Sequence, residues 1–133
     1  MEQELKDLVW SRAGAICEYC RMPQRLDRLR FQIDHIIAQK HGGVASADNL
    51  ALACFACNNH KGPNIAGVDP ETGDVVGLFH PRTNHWTEHF EWRSAVLVGR
   101  TPKGRATIDV LRINMSHRVD LRESLMQEGV FPL

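Results

Sequence analysis

The chain has 133 residues, and its 16 basic side chains balance its 16 acidic ones. Hydrophobic residues make up 43% and charged residues 24% of the sequence, values typical of a globular protein and not of a disordered or membrane chain. Because the net charge is zero, the molecule as a whole lacks the positive field of a general nucleic-acid binder, so any such binding has to be local. The length predicts one compact domain.

The N-terminal residues do not resemble a targeting segment. Glu2, Glu4 and Asp7 are acidic where a secretory signal carries basic side chains. No apolar run approaches the roughly 18 residues that a membrane span needs. We therefore expect a cytoplasmic protein that has no membrane partner.

The first half predicts a helix, a strand and a short helical turn. Apolar residues recur at helical spacing from Glu2 to Ala13, and Gly14 is suited to end that helix. Residues 31–37 are β-branched and partly alternating, which predicts a strand. The pair Gly42-Gly43 indicates a turn, and residues 58–61 predict one helical turn.

The second half begins with a predicted hairpin. Asp69–Asp74 has the composition of a turn between two short extended segments. Trp86, Phe90 and Trp92 would lie on one side of a further extended segment, and we predict that they belong to the core. The alternative is that these rings stack on nucleic-acid bases.

Two helices are predicted at the end of the chain. The first covers Pro102–Ile113, although its alternating apolar residues are also typical of a strand. Ser116 is predicted to cap the second, which ends at Gly129. This part, residues 67–133, is expected to be an α+β extension packed on a core formed by residues 1–66.

All four cysteines fall in two Cys-x-x-Cys pairs, Cys17/Cys20 and Cys54/Cys57. A Cys-x-x-Cys turn directs two thiolates at one ion, and two such turns complete a tetrahedron around Zn²⁺. A thioredoxin-like redox pair is the rival interpretation, but it requires a single pair in a βαβ setting. We predict one structural zinc ion that holds the base of the intervening hairpin.

Residues suited to hydrolysis lie between the two cysteine pairs and directly after the second pair. Asp34 offers a carboxylate for a hard cation, and the adjacent His35 offers an imidazole that accepts a proton near neutral pH. Asn58, directly after the last cysteine, offers an amide oxygen as another hard ligand. Asn49 has a side chain that bonds backbone groups on both sides of a loop.

Taken in order, these residues resemble the HNH endonucleases of the ββα-metal fold, in the branch with two flanking Cys-x-x-Cys zinc pairs. The resemblance covers residues 9–62 and rests on Cys17-Glu-Tyr-Cys20, Ile33-Asp-His-Ile-Ile37, Gly42-Gly43, Asn49-Leu50 and Cys54-Phe-Ala-Cys57-Asn58-Asn-His-Lys61-Gly62. It implies an α+β protein with an HNH nuclease core cross-linked by a four-cysteine zinc site.

The resemblance also implies roles for individual residues. His35 would be the general base, Asp34 and Asn58 would bind the catalytic cation, and Asn49 would orient the hairpin. Asn58 replaces the last histidine of the family name, and a carboxylate with an amide favours Mg²⁺ or Mn²⁺. The implied reaction is metal-assisted hydrolysis of nucleic-acid phosphodiester bonds, with DNA as the expected substrate.

Lys61, which lies within the family pattern, and Arg82 and His80, which lie outside it, are further candidates for phosphate or DNA contact. A non-catalytic, zinc-containing nucleic-acid-binding module is the alternative function, because it would need the cysteines but not the hydrolytic residues. The sequence leaves open whether a homodimer or a separate partner supplies specificity.

Overall fold

The computed structural model describes residues 1–132, which form five α-helices and six short strands. The helices are α1 (Gln3–Ala13), α2 (Phe55–Lys61), α3 (Trp86–His89), α4 (Pro102–Val110) and α5 (Ser116–Gln127). The strands are β1 (Gln32–His35), β2 (Leu50–Ala53), β3 (Ala66–Val68), β4 (Val75–Gly77), β5 (Phe90–Arg93) and β6 (Val96–Gly99). The predicted α+β class is confirmed.

The elements β1, β2 and α2 form a ββα unit. β1 pairs with β2 in antiparallel register, with Asp34 opposite Ala51 and His35 opposite Leu50. All four residues of β2 are buried, because α1 covers this strand. α2 starts two residues after β2 and packs against β1, so the two strands and the helix enclose one edge of the core.

The helix boundaries follow the capping residues in the sequence. α1 ends at Gly14, whose φ of 62° is a left-handed conformation that glycine adopts without steric cost. At the start of α4, the hydroxyl oxygen of Thr101 accepts a hydrogen bond from the Gly104 amide, and Pro102 is the first helical residue. The helix predicted at this position is confirmed, and its strand alternative is wrong.

Two details of the second half differ from the prediction. Trp86 lies in α3 and not in an extended segment, while Phe90 and Trp92 lie in β5. Ser116 is the first residue of α5, and its N-cap is Met115. The core prediction is confirmed, because Phe90 is buried and both tryptophans pack against the core.

The β3–β4 hairpin is held by one buried carboxylate. Asp69 accepts hydrogen bonds from Glu71 N at 3.0 Å and from the Thr72 hydroxyl at 2.9 Å. Arg105 of α4 donates from Nε and Nη2 to its two carboxylate oxygens, both at 2.9 Å. The hydrogen bonds from Arg105 lower the pKa of Asp69, and burial opposes this effect more weakly.

The four cysteine sulfurs meet in the core. They lie within 4.8 Å of one another, and Cys20 Sγ is 3.7 Å from Cys54 Sγ. Tetrahedral coordination with Zn–S bonds of about 2.3 Å requires S···S distances of about 3.8 Å, whereas a disulfide requires about 2.05 Å. All four residues are buried, so the donor set and its spacing fit a closed structural zinc site.

Several contacts join the second half to the zinc-binding turn at residues 17–20. Trp86 Nε1 donates a hydrogen bond to Tyr19 O at 2.8 Å, and the ring of Phe79 packs edge-on against that of Tyr19. Arg82 pairs with Glu18.

Among residues 1–132, no helix has both the length and the apolar character needed to cross a bilayer.

The pH dependence of stability tests the role of Asp69. A folded-state pKa below the unfolded value of about 3.9 stabilises the protein above that pH and ceases to do so as the pH falls through the folded pKa. We expect Asp69→Asn to lower the urea midpoint near neutral pH, with a difference from wild type that shrinks toward about pH 2. Asp74→Asn, an exposed position in the same hairpin, is the control and should show no such trend.

Removing one zinc ligand should unfold the protein. In small zinc domains the metal contributes about 10 kcal/mol or more to folding, so Cys57→Ser should lose both bound zinc and secondary structure. Zinc content by elemental analysis and circular dichroism would measure the two effects. A Cys57→Ser protein with the wild-type spectrum and melting temperature would contradict a structural zinc site.

Candidate functional site

An open cleft of about 360 Å³ lies between β1 and α2. Its walls are Ile33, Asp34, His35, Ala38, Gln39, Lys40, Asn58, Gly62 and Pro63. Three of the residues selected from the sequence, Asp34, His35 and Asn58, therefore border the same cleft. The ββα unit brings them together because Asp34 and His35 end β1 and Asn58 lies on the helix packed against that strand.

The carboxylate of Asp34 is buried in a network of hydrogen bonds. Its Oδ2 accepts from the Tyr19 hydroxyl at 2.7 Å, and the Lys61 ammonium lies 3.2 Å from Oδ1 and 3.1 Å from Oδ2. Burial raises the pKa of Asp34, and the charge of Lys61 and the bond from Tyr19 partly reverse this rise. A carboxylate has about four acceptor positions, so these three contacts leave about one position for a further partner.

Lys61 does not project into solvent. Only 1% of its surface is exposed, and its ammonium also donates to the backbone oxygens of His35 at 3.2 Å and Ile36 at 3.1 Å. The expectation that Lys61 contacts phosphate is therefore corrected. Its position at the end of α2 points it into the ββα unit, where it neutralises Asp34.

His35 is half-buried, and its two ring nitrogens are not equivalent. Nε2 is buried and has no hydrogen-bond partner among the described residues. Because Nε2 is shielded from water, Nδ1 is the ring nitrogen that can contact a molecule in the cleft.

Asn49 fixes the loop that follows His35. Its Oδ1 accepts from Ile37 N at 2.8 Å, and its Nδ2 donates to Ile37 O and Val44 O, both at 3.0 Å. The backbone oxygen of Asn49 also accepts from Ile36 N at 2.8 Å. The loop needs glycine at Gly43, because a Cβ there would lie 1.6 Å from Ile37 O.

The side chain of Asn58 is held by a different contact from those of Asp34 and Asn49. Its Nδ2 donates to the Gln32 side-chain oxygen at the opposite end of β1, which fixes the plane of the amide. Asp34 and Asn58 together supply a carboxylate and an amide oxygen at one cleft, a donor set that suits Mg²⁺ or Mn²⁺. The residues present therefore fit the catalytic cation that the sequence implies.

Arg82 and His80 do not border the cleft. Arg82 pairs with Glu18, and His80 Nδ1 accepts from the Arg82 amide at 3.2 Å. Internal partners thus hold both side chains outside the cleft, and their contact with phosphate stays a prediction. The cation that does line the cleft is the exposed Lys40, which sequence reasoning missed although it lies five residues after His35.

Comparisons with known proteins agree with this geometry. The family model described as HNH endonuclease matches residues 17–64, the stretch that contains both cysteine pairs and the cleft. The chain is also 24% identical over 105 residues to the Septu protein PtuB of Bacillus thuringiensis. That alignment covers 77% of this chain and 38% of PtuB, so the chain spans well under half the length of this relative. No solved structure matches the chain.

The aligned region of PtuB is longer than the family match, so the similarity continues beyond the ββα unit. The matched residues 17–64 include the cysteines, the Asp34-His35 pair and Asn58, on which the resemblance rests. The family resemblance is therefore confirmed. Residues 17–64 of this chain form a domain of the HNH endonuclease family.

Proposed function

We propose that this protein is a metal-dependent endonuclease that hydrolyses phosphodiester bonds, with DNA as its substrate. The observation that carries the proposal is the shared cleft, where Asp34, His35 and Asn58 meet beside an exposed lysine. The HNH family match supports a nuclease-type function independently of this geometry.

In the proposed mechanism His35 is the general base. Nδ1 of His35 takes a proton from a water molecule, and the resulting hydroxide attacks the scissile phosphorus in line with the 3′ oxygen. Asp34 and Asn58 would hold Mg²⁺ or Mn²⁺, and the bound cation would neutralise charge at the phosphate and at the leaving 3′ oxygen, which takes up a proton from solvent. Lys40 binds a neighbouring phosphate, and the product carries a 5′ phosphate.

Lys61 and Tyr19 act in this scheme as positioning residues. Both donate to the Asp34 carboxylate, which fixes its orientation, while Lys61 also holds the carbonyls of His35 and Ile36. Asn49 fixes the far side of the same segment through Ile37. The backbone around His35 is therefore held from both sides, a preorganisation that catalysis requires.

One observation favours a second candidate, a nucleic-acid-binding module without catalysis. The buried ammonium of Lys61 already neutralises the charge that Asp34 would offer to a cation. A domain that had lost hydrolysis would retain this pair, the zinc site and the nucleic-acid surface. Binding without metal-dependent cleavage would support this candidate.

Replacing His35 should separate cleavage from binding. General-base catalysis contributes about 10²–10⁴ in rate, so His35→Ala should cut at least 100-fold more slowly while retaining its affinity for DNA. Plasmid nicking titrated with Mg²⁺ and Mn²⁺, together with fluorescence anisotropy on a DNA duplex, would measure both. His41→Ala, an exposed histidine in the following turn, is the matched control.

The outcome that contradicts the mechanism is equal cleavage by His35→Ala and wild-type protein. EDTA should abolish cleavage by the wild-type protein. The Asp34→Ala variant should not cleave DNA at any concentration of Mg²⁺. Parallel assays on single-stranded DNA and RNA test the proposed substrate. The dependence of double-strand cutting on protein concentration tests whether a homodimer makes the two cuts.

Replacing each of the two lysines near the cleft with methionine should change a different property, namely stability for Lys61 and DNA binding for Lys40. Lys61→Met leaves Asp34 buried without a counterion, which should lower the free energy of unfolding by about 3 kcal/mol. Lys40→Met should leave stability within about 0.5 kcal/mol of wild type, because this side chain is exposed. Lys40→Met should instead weaken DNA binding and reduce its dependence on salt concentration.

Chemical denaturation of both variants measures the stability effect. The double variant Asp34→Leu with Lys61→Met should recover most of the loss, since an apolar pair replaces the ion pair. A Lys61→Met protein as stable as Lys40→Met would show that the buried pair has no structural role.

A further inference from the structure

The zinc site carries a charge that the four cysteines do not balance. A Zn²⁺ ion with four thiolates has a net charge of about −2. Cys17 and Cys57 are 0% exposed, Cys54 is 2% and Cys20 is 3% exposed, so water does not solvate this charge. A buried charge of this kind is costly unless the protein supplies an opposite charge or hydrogen-bond donors.

Arg118 of α5 supplies both. Its Nη2 lies 3.1 Å from Cys57 Sγ and 3.9 Å from Cys54 Sγ. The other terminal nitrogen, Nη1, donates to Leu111 O at 2.8 Å and to Arg112 O at 3.1 Å. The guanidinium is therefore fixed by the turn between α4 and α5 and directed at two of the sulfurs.

A groove at the surface borders two of the four cysteines, Cys20 and Cys54. It has a volume of about 320 Å³, and its walls include Cys20, Cys54 and Arg118 together with the exposed side chains of Phe55 and Leu121. Cys20 and Cys54 are thus buried but adjacent to a cavity that is large enough for small electrophiles or chelators. Arg118 borders both the cavity and the sulfurs.

We propose that Arg118 is a positioning residue of the zinc site, which retains the metal and lowers the reactivity of its thiolates. A hydrogen bond from a guanidinium withdraws electron density from a thiolate sulfur and reduces its nucleophilicity. The positive charge also offsets half of the net charge of the site. The C-terminal helix thereby takes part in metal retention, although all four ligands come from residues 17–57.

Arg122 provides a matched control from the same helix. It is also buried, with 2% exposure, and it donates to Ala95 O, Ile113 O and the side-chain oxygen of Asn114. No hydrogen bond joins it to a cysteine among the described residues. Replacing either arginine removes a buried cation and bonds to backbone oxygens, but only Arg118 removes a donor to sulfur.

The test measures zinc release from full-length Arg118→Met, Arg118→Lys and Arg122→Met proteins, at temperatures where each is folded. Transfer of zinc to a chromogenic chelator, with and without N-ethylmaleimide, gives the rate. We expect release from Arg118→Met to be about tenfold faster than from wild type, as for other outer-shell partners of metal ligands. Arg118→Lys retains the charge and should fall between the two.

Cobalt substitution gives a readout that a general loss of stability does not change. Without the hydrogen bond, the thiolate-to-cobalt charge-transfer bands of both Arg118 variants should move to longer wavelength. Arg122→Met should melt at a lower temperature but retain the wild-type bands, since no hydrogen bond joins Arg122 to a cysteine among the described residues.

Two outcomes would overturn the proposal. One is wild-type bands and release rates in both Arg118 variants. The other is an Arg122→Met protein that shifts the bands as much as Arg118→Met. If Arg118→Met does not fold, Arg118→Lys alone decides the question through its band position.

Discussion

Convergence of the four cysteine sulfurs is the constraint on which the rest of the molecule depends. Cys17 and Cys20 follow α1, while Cys54 and Cys57 open α2, so a shared zinc ion would join the first helix to the helix that borders the cleft. The hairpin of β1 and β2 leaves and returns between these two turns. Coordination bonds to zinc would fix both ends of this hairpin.

The same cross-link sets the environment of the cleft. Tyr19 belongs to the first cysteine turn and Lys61 ends the helix that begins at the second, and both contact Asp34. The carboxylate is therefore bonded from both zinc-binding segments at once. Both segments thus contact the carboxylate oxygens of Asp34, and these contacts link the cysteine cluster to the proposed catalytic site.

Much of this arrangement was predictable from the sequence. Cysteine spacing, the Asp34-His35 pair and Asn58 are local patterns, and they identified the ββα unit and its zinc site. The helix boundaries at Gly14 and Thr101 were also predictable, because caps act through neighbouring backbone groups. The catalytic roles of the cleft residues stay predictions.

The failures share one physical cause, since each depends on contacts between segments distant in sequence. Lysine is usually exposed at the surface, and Lys61 is buried because β1 packs beside it and brings Asp34 into contact. Glu18, 64 residues before Arg82, decides where that arginine points. Trp86 begins a short helix although its neighbours alternate, because tertiary packing overrides weak local preference.

The contact between Arg118 and Cys57 also has a consequence for biosynthesis. The two residues are 61 positions apart, so the ribosome synthesises all four cysteines well before the arginine. Under the role proposed for Arg118, a nascent chain that binds zinc before α5 folds would hold thiolates without their guanidinium. This form of the site would be the one most open to oxidants and competing chelators.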